Sequence, residues 1–156
     1  MKLNELSWRK IESQCRKLVK QIEEANFKPE IIISVGRGGM IPSRIISDMI
    51  SLNTICMIYT KLYVGINKRN DKPTISSFHH FIHGKNVLIV DDIIDSGLTI
   101  EAVIEELQTK KPNALKTACL LCKDHVVRRP SFYAEECKQN HWIVFPWEKV
   151  EFKKEK

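Results

Sequence analysis

The chain has no apolar run approaching the ~18 residues of a membrane-spanning helix, which excludes a helical membrane protein. Its first residues, Met1-Lys2-Leu3-Asn4-Glu5, reach polar side chains at once and carry no apolar signal stretch, so export is not expected. It contains no internal repeat, low-complexity tract or linker-like stretch. A disulfide framework is missing too: five cysteines, an odd number at irregular spacing, fit reduced thiols and a cytoplasmic location. What is present, 43% hydrophobic and 28% charged residues in 156 positions, suits one folded domain spanning residues 1–156.

The net positive charge is concentrated in two places. Of the net +6, residues 60–72 carry +3, from Lys61, Lys68, Arg69 and Lys72 against Asp71, and the tail 152–156 carries +2. A protein that tracks a nucleic-acid backbone more often spreads its basic residues over a face. An excess gathered in one loop-like segment and a tail suits a compact polyphosphate at least as well, and no nucleic-acid or membrane partner is expected.

Helix and strand signals alternate. Trp8 to Glu24 places Ile11, Cys15, Leu18, Val19 and Ile22 at helical spacing behind an N-cap candidate, Ser7. Glu30 to Val35 is a β-branched run fit for a buried parallel strand, followed by the turn Gly36-Arg37-Gly38-Gly39 and a helix from about Pro42 to Ser51. Thr54–Tyr59, Asn86–Val90 and Lys116–Cys122 are further strands, Asp91–Leu98 a loop, Thr99–Thr109 a helix, and Trp142–Phe145 a short apolar piece. Residues 60–84 show no sustained period and form a long loop of the kind that is usually functional. The pattern predicts an α/β fold, a mostly parallel twisted sheet flanked by helices, with a small hood and flexible loop at about 60–84. Such sheets bind ligands at the carboxyl ends of their strands.

The most specific stretch is Val87-Leu88-Ile89-Val90-Asp91-Asp92-Ile93-Ile94-Asp95-Ser96-Gly97-Leu98-Thr99. A buried strand delivers two adjacent carboxylates to its exposed end, and a Ser-Gly-x-Thr sequence then opens a helix. Unpaired N–H groups and a partial positive charge make a helix start favourable for phosphate. Gly97 permits close backbone approach, and the Ser96 and Thr99 hydroxyls add donors. Asp91 and Asp92 can accept from a cis-diol, with Mg²⁺ moderating the charge. Together they ask for a phosphorylated sugar.

This string resembles the 5-phosphoribosyl-1-pyrophosphate (PRPP) signature of type I phosphoribosyltransferases. Ile32 to Pro42 and His141-Trp142-Ile143-Val144-Phe145-Pro146-Trp147 are similar to segments of the short bacterial and archaeal purine (xanthine-guanine and hypoxanthine-guanine) enzymes of that family, a likeness covering roughly residues 8–148. It implies salvage chemistry. A 6-oxopurine (guanine, hypoxanthine or xanthine) displaces pyrophosphate from C1 of PRPP with Mg²⁺ as cofactor, in a homodimer or homotetramer. By the same resemblance, Asp91 and Asp92 hold the ribose hydroxyls and touch Mg²⁺ indirectly, through those hydroxyls or water. Asp95, Ser96, Gly97, Leu98 and Thr99 cradle the 5′-phosphate, and Asp95 is also the catalytic proton acceptor. Arg37 and Gly38 form a diphosphate loop with a strained non-proline cis peptide. Lys123 faces the base's 6-position, Trp142 stacks on the base and the Ile143 carbonyl accepts from a 2-amino group. Lys61, Lys68, Arg69 and Lys72 are hood candidates for the diphosphate. A regulator on the same scaffold and an enzyme for another base are the competing readings.

Cys119-x2-Cys122 and Cys137-x3-His141 have zinc-like spacing. Against it, residues three apart in a strand point to opposite faces, so these cysteines are expected to be free thiols. His79, His80 and His83 read as surface or hood-edge residues, and the lysine-rich tail as solvated.

Overall fold

Ile31 to Ile33 and Val87 to Val90 are apolar at every position, and a strand of that kind needs cover on both faces. The computed structural model, which describes residues 2–61, 73–76 and 78–154, supplies it. In chain order the elements are β1 (Lys2–Glu5), α1 (Trp8–Glu24), β2 (Ile31–Val35), α2 (Met40–Met49), β3 (Ile55–Ile58), β4 (Thr60–Lys61), β5 (Thr74–Ile75) and β6 (Asn86–Ile94). They continue with α3 (Leu98–Gln108), β7 (Ala114–Lys123), β8 (Phe132–Cys137), β9 (His141–Val144) and α4 (Lys149–Lys154).

Five strands form one parallel sheet in the order β3-β2-β6-β7-β8. Alternate residues of each strand feed two apolar layers. Ile32, Leu88, Val90 and Ala118 pack under α1 and α2, against Ile11, Leu18, Ile22 and Ile46. Ile31, Ile33, Val87 and Ile89 pack under α3, against Ile100, Val103 and Leu107. The chain leaves β2 toward β3 in one direction and β6 toward β7 in the other. Since such crossovers keep one hand, α2 and α3 fall on opposite faces. The carboxyl ends of β2 and β6 therefore part at the point where the winding direction reverses, the place where sheets of this order open a crevice.

α1 starts as the sequence predicts, with Ser7 Oγ accepting from the Lys10 amide (3.2 Å). Five elements were not predicted. β8 is an edge strand whose Glu135 carboxylate takes both Lys10 (2.6 Å) and Lys17 (2.8 Å) from α1. β1, exposed along its whole length, pairs in parallel with β9 in a separate two-stranded sheet, and β4 pairs with β5. Residues 152–154 of the tail lie within α4, whose Lys149, Val150 and Glu151 are exposed. The predicted loop at Asp91 is still strand: β6 runs to Ile94.

The cysteine expectation fails in its reasoning. Along β7 the alternation slips at Leu120 and Leu121, which both join the α1–α2 layer, so Cys119 and Cys122 share the α3 layer. The slip lies level with Asp91 and Asp92 of the neighbouring strand, whose carboxylates bond the next amides along the chain. All five cysteines are free thiols. Among the described residues no group of three or more His, Cys, Asp or Glu side chains is arranged to hold a metal ion by itself.

Leu18 is fully buried between α1 and the sheet, away from the strand ends. Leu18→Ala is expected to cost about 2–5 kcal/mol, read as a lower urea midpoint at unchanged slope.

Candidate active site

At the carboxyl end of β6 the chain turns from apolar to acidic while still inside the sheet. Asp91 Oδ1 accepts from the Asp92 amide (2.9 Å) and Asp92 Oδ1 from the Ile93 amide (2.7 Å). Asp92 is only 8% exposed, and its carboxylate lies directly against Gly38 of the turn that follows β2. A Cβ at Gly38 would sit 2.6 Å from Asp92 Cγ, so only glycine fits there. The turn is reached with trans peptides, since the described chain has no cis bond, and the cis peptide implied by the resemblance is not found.

Burial is the main reason that both carboxyls are held above their usual range. The neighbouring Asp92 charge adds to the rise at Asp91. At Asp92 the value reaches about 6: the Ile93 amide pulls it down, while Glu148 pushes it up. A buried carboxylate and a half-buried one beside a third favour a proton or a cation.

Arg37, Gly38, Asp91, Asp92 and Thr99 line one open cavity of about 560 Å³, with Tyr59, Trp147, Glu148 and Glu151 among its other walls. A smaller hollow of about 180 Å³ adjoins it, lined by Asp95, Ser96 and Gly97 and sharing Asp91 and Thr99 with the first. Gly97, at φ 87°, is the left-handed residue that starts α3, and Leu98 follows with its amide on Ser96 Oγ (3.4 Å) and its side chain in solvent. The Asp95 carboxylate is 71% exposed and has His125 Nε2 at 3.8 Å, beyond hydrogen-bond reach.

The three base-contact candidates form a group of their own, outside both hollows. Lys123 is buried at the end of β7, and its ammonium donates to the carbonyls of Lys138 (3.1 Å), Gln139 (3.4 Å) and His141. These occupy all three of its donors and pin the turn that leads into Trp142. Trp142 is half-exposed. The carbonyls of Asn140 and Val144 face β1, so by alternation that of Ile143 lies on the opposite, unpaired edge of β9. Lys68, Arg69, Lys72 and the Lys61 side chain lie outside the described residues. His79, His80 and His83 are exposed as expected.

Sequence reasoning missed Tyr59, Trp147, Glu148 and Glu151. The available signal was the spacing of Glu148 and Glu151, one helical turn apart beyond the aromatic segment. Trp147 stacks on Phe145 (centroids 4.8 Å) and meets Trp8 at 5.8 Å, which seats the start of α4 at the cavity wall.

A glycine turn and an acidic strand end meeting at the switch point of a parallel sheet, beside a phosphate-ready helix start, give an α/β protein whose site suits a phosphorylated, hydroxyl-bearing ligand. Residues 5–150 match the phosphoribosyl transferase domain. The purine phosphoribosyltransferase of Pyrococcus horikoshii superposes with a TM-score of 0.82 at 34% identity, over 94% of this chain and 95% of that one. The xanthine-guanine-hypoxanthine enzyme of Helicobacter pylori gives 0.80 at 25% identity, over 99% of each. The xanthine-guanine phosphoribosyltransferase of Idiomarina loihiensis is 26% identical over 92% of this chain and 85% of its own length. The chain belongs to the phosphoribosyltransferase family, on its type I purine branch. Within the described residues no helix is long and apolar enough to cross a membrane.

The raised Asp92 carboxyl makes a pH prediction with a definite sign. Folding favours its protonated form, so this contribution is complete below pH ~4 and is lost as pH rises through about 6. Asp92→Asn is therefore expected to gain on the parent by on the order of 2 kcal/mol between pH 4 and 7, measured by urea unfolding of the ligand-free protein.

Proposed function

We propose that the chain transfers the 5-phosphoribosyl group from PRPP to N9 of a 6-oxopurine, giving the nucleoside 5′-monophosphate and pyrophosphate. The observation that carries this reading is the meeting of the Gly36–Gly39 turn and the Asp91–Thr99 segment in one cavity, with a second hollow at the β6–α3 junction that shares Asp91 and Thr99 with it. The smaller hollow suits the 5′-phosphate, facing the α3 start and the Ser96 and Thr99 hydroxyls. Asp91, shared by both, suits the ribose hydroxyls, and Arg37 with the turn suits the diphosphate.

The donor set also fits Mg²⁺. Asp91, Asp92 and Glu148 are hard oxygen donors in an anionic wall, the kind of partial ligand set that a metal completing its shell with water and substrate oxygens would use. When bound, it would neutralise charge building on the leaving diphosphate. The remaining work is positioning and electrostatics. The bond from C1 to the diphosphate oxygen breaks as that from C1 to N9 forms, and Asp95 accepts the proton the purine gives up.

Two features support a 6-oxopurine. Relatives in the family are named for xanthine, guanine and hypoxanthine. Lys123 can only donate and already holds three carbonyl oxygens, so a 6-carbonyl can replace one of them whereas an adenine amino group cannot. Trp142 offers a face for stacking, and the carbonyl of Ile143 an acceptor for a 2-amino group.

The deciding assay follows nucleotide formation from PRPP and Mg²⁺ with guanine, xanthine, hypoxanthine, adenine and uracil in turn. GMP, XMP or IMP is expected to dominate; AMP as main product would refute the Lys123 argument, and no product with any base would refute the activity. Asp95→Asn is expected to lower kcat by roughly 10²–10⁴ while calorimetry still detects PRPP binding. Undiminished turnover would remove Asp95 as the proton acceptor.

A further inference from the structure

The cavity already contains an anion on the guanidinium assigned to the diphosphate, and the chain itself provides it. Glu151 Oε1 accepts from Arg37 Nη1 at 3.1 Å, and both residues line the larger hollow. The contact is not made by a loose tail. Glu148, one turn earlier, accepts from the Phe145 amide through Oε2 (3.2 Å), and its carbonyl accepts from the Phe152 amide (3.0 Å). Lys149 reaches Glu5 of β1 at 3.8 Å. Phe145 and Trp147, stacked, anchor the segment from below.

We propose that Glu151 is a positioning residue for the transfer reaction: in the ligand-free enzyme its carboxylate occupies the anion position on Arg37, and the diphosphate of PRPP displaces it. The inference rests on the diphosphate role of Arg37 proposed above. A guanidinium fork matches carboxylate and phosphate alike, so the two ligands compete for one set of donors. Like-charge repulsion in a wall already holding Asp91, Asp92 and Glu148 prevents Glu151 from staying beside a diphosphate. When pyrophosphate departs, Glu151 returns to Arg37. The same contact thus keeps the guanidinium aimed into the empty cavity, weakens PRPP capture and eases product release. Both side chains are well exposed, 77% for Arg37 and 61% for Glu151, so the exchange is a small bias that salt can screen.

Glu151→Gln keeps the size of an exposed side chain and leaves the core untouched. It is expected to lower the KM and Kd for PRPP about two- to fivefold at low ionic strength, without raising kcat, and to tighten pyrophosphate inhibition by a similar factor. The purine KM stays in place, and the gain shrinks at ~0.5 M salt. In an Arg37→Ala background the same substitution is expected to tighten nothing. An unchanged or raised KM for PRPP in Glu151→Gln, with Arg37→Ala weakening PRPP, would overturn this inference alone. Equal tightening in both backgrounds would make Glu151 a diffuse charge and also overturn it. An Arg37→Ala enzyme that binds PRPP as before would remove the diphosphate role of Arg37 and the inference with it.

Discussion

The site depends on one contact, the Asp92 carboxylate pressed against the backbone of Gly38. It joins the two central strands at the point where the sheet reverses its winding, and it does so with a group that resists leaving water. The turn after β2 can approach so closely because Gly38 has no side chain and because Gly39, where a Cβ would run into the Val90 carbonyl oxygen, has none either. The carboxyl can remain there only because the Ile93 amide satisfies one oxygen and its proton affinity is raised. A buried acid of this kind stabilises little by itself and leaves a demand for positive charge and for hydroxyl donors. The proposed substrate, a sugar diphosphate accompanied by a divalent cation, would supply both.

The C-terminal segment extends the same balance. Glu148 raises Asp92 and Glu151 engages Arg37, so the wall of the cavity is acidic beyond the signature residues, and Arg37 is the one cation among its described lining residues. A wall of this sign would repel a bare polyphosphate. It suits a ligand whose charge is partly neutralised, as the proposed transfer would require. Lys123 plays a quieter part: its three carbonyl partners hold the turn before β9, and with it the start of the strand that carries Trp142.

Legibility in the sequence followed the strength of local patterns. The helical spacing of Ile11 to Ile22, the apolar runs of β2 and β6, and the acid-to-glycine string ending at Thr99 were readable because each pattern is confined to neighbouring residues. β8 was not, because its Glu135 and Glu136 are acceptable in a strand only once Lys10, Lys17 and Arg129 stand beside them. β1, polar and exposed, has no strand character except as a partner of β9. The cysteine pair misled for a related reason: strict alternation was assumed across a place where side chains of a neighbouring strand disturb the ladder.

The sequence by itself determined the α/β class, the two loops that meet at the site and the identity of the Asp91–Thr99 segment, since these rest on periodicity and on residue types next to one another in the chain. Tertiary structure alone decided that Asp92 meets Gly38, that Lys123 spends its donors on backbone carbonyls and that the tail returns to place Glu151 on Arg37. Each of those contacts joins residues 15 or more positions apart, and its energy depends on exposure and mutual charge, quantities that exist only once the chain has folded.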